Sequence, residues 1–225
     1  MSKIKQNDSV DEPVLNDESG ALVRLLLQES DAERARLASL LHDELGGVLV
    51  AAKMDLGYLE TALGTERPDL RRRFAQVRDC LDTAVAVERR VVEELQPGLL
   101  VHIGLFAALQ WQIEQVRSHS NRVVRLQVPE SEASLPLPAR VGLYRAVQES
   151  LSLSRGDLDL TASLCEQALR LELSPLRIEF QAVGALRLLV ILHRVRAVGG
   201  RAELTDVAPD GRRLVIELPL AAPSA

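Results

Sequence analysis

Aromatic side chains are scarce in this sequence: they make up 3% of its 225 residues, against 47% for apolar residues as a whole. The core must therefore rest on Leu, Val and Ala, which favours helix packing and excludes a base-stacking platform for nucleic acid. An excess of basic charge is missing too. The formal net charge is −5, and the densest basic run, Arg71-Arg72-Arg73, reads as a solvated helix face, so no nucleic-acid partner is expected. Cysteine is limited to Cys80 and Cys165, which form neither a disulfide framework nor a metal-binding spacing; both are expected reduced, in a cytoplasmic protein. Long apolar runs are absent. The two most apolar windows, 98–111 and 183–192, fall short of the roughly 20 residues a membrane span requires, so no membrane segment is expected. The N-terminal MSKIKQNDSVDEP is too polar for a secretory signal. There is no GxxxxGK[ST], GxGxxG or GxSxG. His102, His119 and His193 lie on separate segments without acids or cysteines at ligand spacing, which leaves no metal site to propose.

What the chain does contain is helical periodicity. Residues 1 to 17 are polar and acidic, with Pro13, and read as a disordered lead-in. From 21 to 63, Leu37, Leu41, Leu45, Val48, Ala52, Leu56, Leu59 and Leu63 step by three and four along one helix face. About 40 residues at ~1.5 Å rise give a rod of roughly 60 Å. Gly64 and Pro68 mark a turn. A second helix carries Leu70, Phe74, Val77, Leu81, Ala84, Glu88, Val92 and Leu95 at the same spacing. Only Glu88 interrupts its apolar stripe, and Pro97-Gly98 ends it. Two long helices with a short loop form an antiparallel hairpin, and each stripe is too wide for one partner. A homodimer that doubles the hairpin into a four-helix bundle buries both stripes.

After Pro97 the texture changes. Helices are expected over 103–118, 139–153 and 184–198. Strands are expected over 122–128, 158–164, 168–173, 201–206 and 212–218, with a short one over 177–180. Turns fall at Cys165-Glu166-Gln167 and Pro209-Asp210-Gly211. This pattern predicts an α+β sandwich, helices on one face of a mixed or antiparallel sheet. The expected organisation is thus a lead-in over 1–17, a helical hairpin over 18–97 and an α+β domain over 98–225.

The run RARLASLLHDELGG places His42 beside Asp43 at the rim of the first apolar stripe. It resembles the phosphoacceptor segment of histidine kinases whose dimerisation and phosphotransfer domain is of the third, nitrate-sensor-like subgroup. RRVVEELQPGLL resembles the end of that domain's second helix. ARVGLYRAVQESL resembles the helix that opens the metal-binding box of the kinase ATP domain, and RVRAVGGRAEL and RRLVIELPL resemble the end of that domain. The resemblance covers about residues 31–220. It implies that His42 is the phosphoacceptor and Asp43 the base or orienting acid. An imidazole nitrogen is a competent nucleophile near neutral pH, and a carboxylate beside it suits proton acceptance.

Several departures accompany the resemblance. Gly47 stands where family members that also dephosphorylate their partner carry a water-positioning side chain. Leu153 stands at the metal-binding asparagine after Gln148-Glu149-Ser150-Leu151-Ser152, and leucine offers Mg²⁺ no oxygen. Ser174-Pro175-Leu176 replaces the adenine-reading aspartate and its glycine, and the segment that follows is too short for the phosphate lid. Arg187 falls near a glycine over which the family's phosphates lie. The resemblance therefore implies a degenerate ATP-binding domain.

The expected function is a two-component signalling protein. It carries phosphate on His42, exchanges it with a response-regulator receiver, and needs no cofactor of its own, since the receiver brings Mg²⁺. The alternatives are a pseudokinase subunit phosphorylated in trans by an intact histidine kinase, a non-catalytic dimeric binding module, and an active sensor histidine kinase.

Overall fold

The computed structural model describes residues 17–63, 67–165, 167–178, 182–207 and 211–220. The lead-in over 1–16, Gly64, Glu166, 179–180 and Pro209-Asp210 lie outside the described residues. The expected first helix is a continuous helical rod, but it is not α-helical throughout. Helix α1 (Asp17–Leu40) passes into a π-helical turn, Leu41–Gly46, and then into α2 (Gly47–Leu63). Helix α3 (Pro68–Leu95) opens with proline and Asp69 in its first turn, where a missing N–H costs nothing and a negative charge suits the helix dipole. Ion pairs Lys53–Asp82 and Glu60–Arg78 bridge the antiparallel helices α2 and α3.

The exit from the hairpin holds a short helix that the pattern did not suggest. Helix α4 (Gly98–His102) starts at the buried Pro97, and the Glu93 carboxylate accepts the N–H groups of Gly98 and Leu99 at 3.1 Å each. Gly104 follows with φ 142°, and a β-carbon there would strike the Glu132 carboxylate. That carboxylate accepts the Phe106 N–H at 2.9 Å and so caps α5 (Leu105–His119).

The rest is a layer of α5, α6 (Leu137–Leu153) and α7 (Ala182–Ala197) on a five-stranded mixed sheet. Its strands are β1 (Val124–Gln127), β2 (Leu158–Cys165), β3 (Ala168–Leu176), β4 (Arg201–Val207) and β5 (Gly211–Pro219), in spatial order β1-β2-β3-β5-β4. β1 and β2 are parallel and the other neighbours antiparallel. Leu158, Leu160 and Ala162 of β2, and Leu169, Leu171 and Leu173 of β3, alternate inward as a half-buried strand requires. The short strand expected over 177–180 is not there in its described part: Arg177 and Ile178 carry no strand. Instead β3 shifts register between Leu173 and Leu176 and continues to Leu176, which pairs with Arg212. Ser174-Pro175 occupies the irregular stretch, where proline's missing donor is tolerated.

Buried charge joins the hairpin to this layer. Asp31 of α1 accepts a hydrogen bond from Arg194 of α7 at 2.6 Å and lies 3.8 Å from Arg145 Nε of α6. Arg145 also donates to the carbonyls of Glu94 and Leu95 at the end of α3, and to Gln148 at 2.7 Å. Only 5% of Arg145 is exposed. Burial pushes its guanidinium down to about 10, still charged at neutral pH.

Candidate functional site

His42 lies inside the π turn, and its side chain is 68% exposed. π turns insert one extra residue into a helix and are frequent where a helix serves a functional group. Gly46 and Gly47 end this one, and a β-carbon on Gly46 would sit 3.4 Å from Glu88 Oε1. Ala38, one turn before, is buried. Small residues thus bring this stretch close to α3.

The ring's polar contact is on α3. His42 Nδ1 lies 3.4 Å from Glu88 Oε1. The Glu88 side chain is only 3% exposed, and Glu88 is the buried residue of α3. Sequence reasoning noted Glu88 only as a break in an apolar stripe. The break was the signal: a buried carboxylate needs a partner, and its partner is the exposed histidine 46 residues earlier. Among the described residues nothing bonds Nε2. Asp43, expected beside the ring, accepts a hydrogen bond from Ser39 Oγ at 3.1 Å, one turn back on its own helix. Arg36 is taken up by Glu33 at 2.8 Å.

The residues tied by resemblance to ATP are placed as follows. Glu149 of α6 forms an ion pair with Arg187 of α7, and Arg187 also donates to Ser152. Leu153, the last residue of α6, packs against the hydrophobic core. Ser174 pairs with Asp159 in the β2–β3 ladder. Only residues 176–181 separate Pro175 from α7. Gly47 begins α2 with open space around its Cα.

Residues 33–100 match the HisKA_3 histidine kinase family. The chain is 26% identical over 214 residues to the sensor histidine kinase ComP of Bacillus subtilis, covering 88% of this chain and 28% of that protein. It is 31% identical over 144 residues to the methanol utilization control sensor protein MoxY of Paracoccus denitrificans, covering 60% of this chain and 31% of that protein. Among solved structures, the histidine kinase domain of the Erythrobacter litoralis EL346 blue-light activated histidine kinase aligns with a TM-score of 0.45 and 16% identity, over 77% of this chain and 94% of that one. The likeness to histidine kinases is thus carried most directly by residues 33–100. It spans less than a third of the length of the curated relatives it matches. Among the described residues, no helix is long and apolar enough to cross a membrane.

Proposed function

We propose that this chain is a phosphoryl carrier of a two-component system: His42 exchanges phosphate with the aspartate of a response-regulator receiver, and the chain does not phosphorylate itself from ATP. The observation that carries the first half is the exposed imidazole in the π turn, with Nε2 free of partners among the described residues and Nδ1 turned to α3. Such a ring is open to a docking receiver, which supplies the Mg²⁺ and the acid pocket. Asp43, exposed on the same turn and bonded by Ser39, is proposed to face the docked receiver.

The second half is supported by the fate of Glu149. Mg²⁺ needs oxygen ligands free to face it. Here a guanidinium occupies Glu149, leucine stands at the neighbouring ligand position, and the connection before α7 is short. These residues do not fit a nucleotide-bound cation, so no step is routed through ATP.

The carrier is proposed to work as a homodimer. Helix α2 has no buried residue in the single chain, and Leu45, Val48, Leu59 and Leu63 of the apolar stripe are 44%, 65%, 47% and 61% exposed. A second hairpin covers this face and yields a four-helix bundle.

The test is to incubate the full chain with phosphorylated receivers, and separately with radiolabelled ATP and Mg²⁺, using His42→Ala as control. Label from a receiver, absent in His42→Ala and absent with ATP, is the expected result. Label from ATP alone would overturn the assignment of Leu153, Glu149 and Arg187. No transfer from any receiver of a broad panel would overturn the carrier.

A further inference from the structure

Resting on the reading of His42 as a phosphoryl carrier, we propose that Glu88, 46 residues away on the other helix of the hairpin, is the positioning residue that fixes the tautomer of the His42 ring. Two nitrogens share the imidazole, and only the one without a proton has a lone pair for attack on phosphorus. A neutral ring therefore needs something to hold its proton on the other nitrogen. The adjacent acid is the obvious candidate from sequence, but Asp43 is engaged by Ser39. Glu88 Oε1 faces Nδ1 at 3.4 Å. That distance is long for a charge-assisted hydrogen bond, as is common before the reacting complex tightens.

Three further observations bear on the pair. Glu88 is 5% exposed in a helix stripe otherwise made of apolar residues, a costly place for a carboxylate with no task. Gly46 packs against the pair, since a β-carbon there would lie in ordinary contact, 3.4 Å from the carboxylate oxygen and 3.8 Å from His42 Nδ1. The π turn carries both His42 and Gly46. The three residues form one unit, in which the turn aims the ring, the glycine packs beside the pair, and the acid holds the Nδ1 proton.

The chemistry balances. The Nε2 lone pair attacks the phosphorus of the receiver's aspartyl phosphate and forms an N–P bond. The P–O bond to the aspartate breaks, and the carboxylate leaves with that electron pair. The positive charge that arrives on the ring is neutralised as the Nδ1 proton shifts to Glu88. Return of phosphate to the receiver runs the same steps backwards, and Glu88 gives the proton back.

The test reads the ring directly. Nitrogen NMR of the full-length ¹⁵N-labelled chain, at about pH 8 and so above the ordinary imidazole range, should show His42 protonated on Nδ1. Glu88→Leu completes the apolar stripe and removes a buried charge, so the fold should hold. It should return His42 to the Nε2–H form that an unpartnered imidazole prefers. Glu88→Gln keeps an acceptor and should retain the Nδ1–H form, and Asp43→Asn should leave it unchanged. With phosphoramidate as a small phosphodonor, labelling of His42 should fall at least about tenfold in Glu88→Leu and partly recover in Glu88→Gln. Wild-type protein with the proton on Nε2, or Glu88→Leu with an unaltered tautomer, overturns the proposal. A tautomer governed by Glu88, combined with no labelling from any donor, would leave the positioning role standing and refute the carrier reading instead.

Discussion

In β2, β3 and β5 alternate residues are fully or almost fully buried, whereas in α2 no residue is buried at all. The two regions belong to one chain and draw on the same few apolar residue types, yet only one of them closes its core. Leu160, Leu171 and Ile216 find neighbours within the chain. Met54 and Tyr58 do not. The polar groups divide in the same way. On the α6–α7 side Arg187 neutralises Glu149, and Arg145 and Arg194 share Asp31. On the hairpin, an imidazole stands in solvent with one ring nitrogen unoccupied. A region whose apolar groups are buried and whose charges are paired within the chain is suited to structure. A region that leaves both unmatched is suited to partners, which are proposed to be a second hairpin and a docking receiver.

The sharpest way to break this comparison is to remove equal bulk from both regions. Leu160→Ala empties a site with no exposure and should cost about 2–5 kcal/mol in denaturant unfolding. Met54→Ala, at 71% exposure, should stay within about 0.5 kcal/mol at concentrations where the chain is monomeric. Equal losses would mean that the hairpin does close its own core.

The next largest effect should come from the joint between the regions. Asp31→Ala strands Arg145 and Arg194 beside each other without their shared carboxylate. Loss of one partner of a buried pair typically costs about 3–5 kcal/mol. Asp31 keeps 24% side-chain exposure, so about 2–4 kcal/mol is expected. Hydrogen exchange should rise along α6 and α7 and in the Asp31 turn of α1, while β3 and β5 remain protected. Unchanged exchange would show that the hairpin and the sheet layer are held by other contacts.

The elements were legible in the sequence because each depends on a local period. The three-four stripes of the hairpin and the alternation in β2, β3 and β5 need only neighbouring residues to be read. The contacts that define the site need residues far apart. His42 and Glu88 meet across 46 positions, and Asp31 and Arg194 across 163. Glu88 left a trace, one charge in an apolar stripe, but the trace does not name the partner. Asp43 looked like the ring's partner because it is adjacent, yet helix geometry sends successive side chains about 100° apart, and Ser39 at i−4 is the natural neighbour of Asp43. The π turn left only Gly46-Gly47 as a signal. The strand expected over 177–180 was drawn from its residue types, whereas the ladder partner Arg212 lies opposite Leu176, one residue earlier.

A third effect is read as association, not stability. Leu59→Glu places a charge on the exposed part of the α2 stripe that the second hairpin is proposed to cover. Sedimentation should show a dimer for the wild type and a monomer for the variant at the same concentration, with the near-ultraviolet signal of Trp111 unaltered. A wild-type monomer would mean that something other than a second copy covers α2.

The smallest effect tests whether the hairpin's register depends on its visible charges. Lys53 and Asp82 bridge α2 and α3, but their side chains are 43% and 51% exposed. In water such a pair gains little, because attraction is screened and two long side chains lose freedom. Lys53→Ala should cost no more than about 1 kcal/mol, and the difference should shrink further in high salt. The comparison that gives this number meaning is Glu88→Leu, which removes a charge from the same interhelical seam where it is buried. If exposed charges set the register, Lys53→Ala would disturb the helix pair more than Glu88→Leu. If packing sets it, Lys53→Ala should be nearly silent and Glu88→Leu should keep or raise stability. The second pattern would mean that Glu88 is retained at the expense of stability, as expected of a residue whose task is to hold a proton on His42.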